Sequence, residues 1–119
     1  MSTLNVGTIK SLDANPPVFQ NSSGIEKGQL AKAWVKFNGS GTVSINDSFN
    51  ISSITDNGTG SYTLAFITNM ANTNYAAITN TARFSSSGSF ATSTFSVVLA
   101  NINGVAEDRA ALHAIIFGD

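Results

Sequence analysis

Residues 33–66, AWVKFNGSGTVSINDSFNISSITDNGTGSYTLAF, set runs of alternating apolar and polar residues between closely spaced turn signals, with no helical periodicity. Val43 and Ile45 alternate with Ser44 and Asn46, and Tyr62, Leu64 and Phe66 alternate with Thr63 and Ala65. A side chain that returns to one face at every second residue marks a half-buried strand. Between Ile54 and Tyr62, the pentapeptide Asp56-Asn57-Gly58-Thr59-Gly60 predicts a hairpin loop, because Asp and Asn bond their own backbone and glycine admits positive φ. Phe49, Ile51 and Ile54 break the odd-even rhythm, so a β-bulge around Ser52 and Ser53 is expected if all three face one core.

The rest of the chain extends this grammar. Trp34, Val35 and Phe37 favour a strand over a short helical turn, and Asn38-Gly39-Ser40-Gly41 ends it. Tyr75 to Thr79 is a short strand candidate, Ser85 to Ser89 is expected as a loop, and Phe90 to Leu99 puts Phe95, Val97 and Leu99 on one face. Asn101 to Gly104 turns the chain. Ala110 to Phe117 is apolar on both faces apart from His113, which predicts a strand covered from two sides. Seven or so strands joined by Gly and Asn turns imply an all-β head, an antiparallel β-sandwich or jelly-roll-like fold.

Residues 1–29 differ in character. Val6 and Ile9 stand isolated, Asn15-Pro16-Pro17 opposes helix and ladder alike, and Asn21-Ser22-Ser23-Gly24 has the composition of a flexible polar stretch. The expected organisation is an extended N-terminal arm, 1–29, serving attachment or oligomerisation, followed by a β-sandwich head, 30–119.

Composition narrows the function. Charged residues are 11% of the 119, well under the roughly 25% of ordinary soluble domains, whereas Ser, Thr and Asn supply about a third. The formal net charge is -1 and no Lys/Arg cluster occurs, so nothing draws the chain to nucleic acid. Apolar runs such as Val97–Ala100 and Ala114–Phe117 are too short to cross a bilayer, so no membrane insertion is expected, and the N-terminus has no secretion-signal pattern. Eight Phe, one Trp and two Tyr offer more apolar surface than a thin sandwich needs. Small, flat, uncharged faces of Ala, Ser and Thr could seal a subunit contact or simply coat a monomer.

Reactive chemistry is sparsely encoded. With no Cys and a single histidine, His113, thiolate nucleophiles and His/Cys metal sites are ruled out. A triad of serine, His113 and Glu107 or Asp108 can be written, but no Gly-x-Ser-x-Gly elbow supports it, and His113 is expected to be structural or at an interface. The seven acids are dispersed except for Glu107-Asp108, which with Arg109 is simplest as a locally paired cluster. A paired-carboxylate glycosidase lacks an aromatic platform, and a calcium site among Asp47, Asp56 and Asn57 lacks the spacing of a dedicated loop. No catalytic residue, cofactor or metal is therefore expected. The five Asn-x-Ser/Thr triplets, at Asn21, Asn38, Asn46, Asn50 and Asn57, arise by chance in such a composition.

Two polar loops suit sugar hydroxyls: Asn69–Asn74, with Asn72 and Asn74, and Ser85–Ser89, with Ser86, Ser87 and Ser89. Tyr75 or Phe90 would pack on a sugar ring. The competing reading makes both ordinary solvent loops.

The block KAWVKFNGSGTVSINDSFNISSITDNGTGSYTLAF, Lys32–Phe66, resembles a module of bacteriophage tail-fibre and related structural proteins, notably of marine phages, and the closing Ile116–Asp119, IFGD, is similar to that family's ending. Met1–Ser11, MSTLNVGTIKS, is similar to the start of short fibre proteins that anchor to the virion. The resemblance implies a virion protein of the tail. It would be trimeric, joined to other virion proteins through its arm and in contact with a host-surface glycan through its head, and no catalytic residues come with it. No heptads of a fibre shaft separate arm from head, which leaves room for a short tip, a tail accessory or a capsid decoration protein. A free carbohydrate-binding module or small glycan hydrolase is the third class.

Overall fold

A computed structural model describes residues 2–12, 17–80 and 84–118, with the side chains at 27, 80 and 84–88 left aside. Its elements are ten strands: β1 (Phe19–Gln20), β2 (Glu26–Gly28), β3 (Ala33–Asn38), β4 (Ser44–Phe49), β5 (Ile51–Gly58), β6 (Ser61–Phe66), β7 (Ala76–Asn80), β8 (Phe84–Phe90), β9 (Thr94–Ala100) and β10 (Leu112–Phe117). No helix occurs among the described residues. The chain divides into two compact units, Met1–Leu30 and Ala31–Asp119. Asn15 and Pro16 of the Asn-Pro-Pro signal lie outside the described residues.

In the first unit, β1 and β2 pair antiparallel, Phe19 with Gly28 and Gln20 with Glu26. The stretch expected to be flexible, Asn21–Gly24, is an ordered turn. Asn21 Oδ1 accepts the amides of Ser23 and Ile25 at 3.0 and 2.9 Å, and Gly24 takes φ 75°. The same device recurs in the head. Asn101 Oδ1 accepts Asn103 and Val105 amides at 2.9 and 3.1 Å, and Gly104 has φ 77°. Asn-x-x-Gly followed by a β-branched residue thus builds one bend twice, the amide replacing ladder bonds that the turn forgoes. Leu4, Val6, Ile9, Leu12, Val18 and Ile25 of this unit are all exposed.

The second unit is a β-sandwich of two four-stranded antiparallel sheets, ordered β4-β3-β10-β7 and β5-β6-β9-β8. The two central strands of each sheet alternate most cleanly, because they are the ones flanked on both edges. Val35, Phe37, Leu112 and Ile116 of one sheet and Tyr62, Leu64, Phe95, Val97 and Leu99 of the other are almost wholly buried. Phe37 meets Tyr62 edge to face with ring centroids 5.4 Å apart.

Several expectations are refined by the pairing. The hairpin after Ile54 forms, with β5 running on to Gly58 and the bend tightened to Thr59-Gly60. Asp56 Oδ1 accepts the Gly58 amide at 2.9 Å, as the turn chemistry requires. The register shifts between Ile51 and Ser53, where the bulge was expected. Phe49, however, does not join that core: it faces outward on β4, and the chain passes to the other sheet through Asn50 alone.

Ser85–Ser89, expected as a loop, forms the body of β8. Its partner β9 overrides the low strand propensity of serine, aligning Ser85, Ser86 and Ser87 with Leu99, Val98 and Val97. β10 is covered on one face only. Leu112, Ala114 and Ile116 are buried while His113 and Ile115 are exposed, because a strand of a two-layer sandwich has a single inner face. What is two-sided in β10 is its edges, held by β3 and β7.

Candidate functional site

One end of the sandwich gathers the connection 67–75 and the turn 91–94, neither of which carries a charged residue. Three residues fix this connection. Asn50, with φ 57° in the left-handed region, donates from Nδ2 to the carbonyls of Lys32 and Thr68 at 3.1 Å each. Its Oδ1 accepts the Thr68 amide at 2.7 Å, and its own carbonyl accepts the Ile67 amide at 3.1 Å. Met70 is buried, and its amide donates to the Thr92 carbonyl at 2.8 Å. Tyr75 closes the span, its hydroxyl lying 3.0 and 3.1 Å from the carbonyls of Ala91 and Thr94. Burial pushes that hydroxyl's pKa upward, so Tyr75 stays a neutral donor at physiological pH.

The residues proposed to touch a receptor separate accordingly. Asn72 and Asn74 are exposed on the connection, Asn72 Oδ1 accepting the Asn74 amide at 2.8 Å. Ser89 is exposed near the end of β8, and the side chains of Ser86 and Ser87 lie outside the described residues. Tyr75 cannot offer a ring face to a sugar: it is 6% exposed and packs against Phe66, Phe90 and Phe95, with ring centroids 5.9, 5.1 and 6.3 Å away. Phe90 turns inward with it, 5.2 Å from Phe95. The aromatic cluster therefore holds the loops from beneath. Because Asn74 precedes Tyr75 and Ser89 precedes Phe90, that ring pair brings both polar residues to one end of the head. Thr92 and Ser93, exposed on the adjoining turn, extend the same uncharged surface and went unnoticed in sequence. Their only signal is a polar interval between Phe90 and Phe95 on a two-strand hairpin.

The opposite end is held by Asp108. Its Oδ1 accepts the Gly60 amide at 2.7 Å and lies 2.7 Å from the Tyr62 hydroxyl, which is also 2.7 Å from the Gly39 carbonyl. One phenolic proton thus serves two acceptors. Gly60 has φ 69°, and a Cβ there would come within 2.5 Å of the Leu99 carbonyl oxygen, so no other residue fits the bend. The Gly60 amide, then the Tyr62 hydroxyl, hold the Asp108 carboxyl below its ordinary pKa. Burial, then Asp108, push the Tyr62 hydroxyl well above the usual phenol range.

The lowered Asp108 pKa means that folding binds the carboxylate form. Its stabilisation is present above the ordinary carboxylate value and is lost as pH falls through the lowered one. Asp108→Asn should therefore lower the melting temperature at pH 6, and the gap to the wild type should close as the pH drops below about 4. Thermal scans across pH check this, and a gap independent of pH would contradict the assignment.

The remaining sequence candidates are dispersed. Glu107 pairs with Arg109, Asp108 is committed to Gly60 and Tyr62, and His113 stands on the outer face of β10. Asp47 lies on β4 of one sheet and Asp56 on β5 of the other. Among the described residues no group of three or more His, Asp or Glu side chains is assembled. Comparison with known family models, with curated proteins and with solved structures finds no match.

Proposed function

We propose that the protein is a structural component of a bacteriophage particle, a tail fibre or fibre tip, whose head contacts a host-surface glycan in several identical copies. The observation that carries the contact is the uncharged surface of Asn72, Asn74, Ser89, Thr92 and Ser93 on loops that Asn50, Met70 and Tyr75 hold rigid. Amides and hydroxyls with no net charge suit a neutral, hydroxyl-rich ligand, and preset loops lower the ordering cost of meeting it. The placement on a particle is supported by the resemblance of Lys32–Phe66, which here supplies β3 to β6 of the sandwich, to phage fibre modules.

With no exposed ring among Asn72, Asn74, Ser89, Thr92 and Ser93 to stack on, each contact surface should bind weakly. Several heads on one particle convert such contacts into firm attachment, because the second contact forms at high effective concentration. The first unit suits the other half of the task. Eight exposed apolar side chains, counting Phe19 and Leu30, on a segment with one short hairpin are surface that another virion protein would cover.

Two measurements test the reading. Mass spectrometry and electron cryomicroscopy of purified particles should find the protein on the tail, and glycan arrays probed with a multivalent display of the head should give signal that Asn72→Ala/Asn74→Ala reduces several-fold. Deleting residues 1–29 should leave a folded head that no longer enters particles. An unfolded truncation, or particles that lack the wild-type protein, would overturn the proposal.

A further inference from the structure

The two outer faces of the sandwich differ in kind. On the sheet β5-β6-β9-β8, Thr55, Thr63 and Ser96 form one row, with Asn57 Nδ2 donating to Thr63 Oγ1 at 2.8 Å and the Thr63 and Ser96 hydroxyls 3.3 Å apart. On the sheet β4-β3-β10-β7, the corresponding row is Phe49, Trp34, Ile115 and Ile78, one residue from each strand, each the register partner of the next. These side chains are 54%, 36%, 41% and 62% exposed. Burial of the inner face does not require them, because Ala33, Val35, Ala114 and Ile116 already fill it.

We infer that this face is sealed by the same face of a second copy of the chain, related by a two-fold axis. The inference rests on the reading of the protein as one that works in several copies, and it names the surface that joins them.

Three observations favour a second copy over a different partner. Trp34 and Ile115 occupy the middle of the row on the neighbouring central strands β3 and β10. A two-fold axis running between and along those strands lays Trp34 of one copy over Ile115 of the other, and Phe49 over Ile78, so the row complements itself. The adjoining row is Asp47, Lys36, His113 and Asn80; the same axis lays Lys36 of one copy over His113 of the other, and each Lys36 keeps its own Asp47 directly opposite as a counter-charge. The area is that of a small dimer. Strands about 4.8 Å apart and five or six residues long make a face of roughly 19 by 20 Å, and two such faces, about 760 Å² in projection, reach roughly the 1,000 Å² that a specific interface must clear once side-chain relief is added. An isologous contact closes pairs, in contrast to the trimer that the fibre resemblance implies.

The full chain supplies its own probe, since Trp34 is its one tryptophan. Sedimentation equilibrium should give twice the chain mass, and on dilution Trp34 emission should shift to the red and become quenchable by iodide as the pair separates. Ile115→Lys and Ile78→Lys should each weaken pairing by about 100-fold or more, whereas Ile67→Lys, at a still more exposed residue outside the face, should not. Circular dichroism confirms that each variant is folded, and the dilution series on the wild type stands if one is not. A wild-type monomer would overturn both the inference and the multi-copy reading. A trimer, or a pair that persists in the folded Lys variants with Trp34 emission unchanged on dilution, would overturn this interface alone.

Discussion

A chain ending at His113 will not fold. The missing residues include Ala114 and Ile116, both almost wholly buried, and the last four residues of β10, which pair Val35 to Ala33 on one side and Thr79 to Ala76 on the other. Without it β7 loses its only strand neighbour among the described residues, and the inner face of its sheet opens over Phe95 and Leu64. A central strand cannot be replaced by water, because its partners would be left with unpaired amides beside an exposed core. The truncated protein should show no cooperative thermal transition and no native near-ultraviolet circular dichroism. Melting like that of the full chain would refute the central position of β10.

Asn50→Ala is expected to be strongly destabilising although Asn50 lies outside the core. Alanine in the left-handed region costs roughly 1 kcal/mol or more, and three side-chain bonds to the backbone of Lys32 and Thr68 vanish at about 0.5–1 kcal/mol each. The sum of about 3 kcal/mol corresponds to a fall of roughly 15 °C in melting temperature for a domain of this size. Asn50→Gly separates the two causes, since it relieves the backbone and leaves the bonds lost. It should recover about 1 kcal/mol in urea unfolding. Equal damage from both variants would place the whole effect in the side-chain bonds.

Much of this architecture is legible in the residues, and the exceptions share a cause. Period-two alternation finds β6 and β9, central strands whose inner face sees a core, while strand propensity marks β3 and an apolar run marks β10. It fails at β8, where the serine run 85–89 is strand only because β9 lies beside it, a fact absent from the local sequence. It also misjudges Phe49 and Ile115. Their apolarity suggests a core, yet the sandwich has no layer beyond them. The large outward residues, and not the small Ala, Ser and Thr surfaces, are where this fold presents apolar area.

At the candidate site, loop composition marks Asn72 and Asn74. Tyr75 and Phe90 look like platforms until their rings are seen to fill the space beneath. The turns at Asn21 and Asn101 share a signature that becomes readable only when both are compared. Asn50 is hidden for a different reason: its importance comes from partners 18 residues away in either direction, at Lys32 and Thr68.

That position gives Asn50 a mechanical meaning. Tension entering the head at Lys32 and resisted by anything grasping Thr68 would meet one carboxamide that spans both points, since the same Nδ2 holds both carbonyls. The Lys32 amide donates to the Ile116 carbonyl at 2.8 Å, so the tug would be divided between that clasp and the central strand β10.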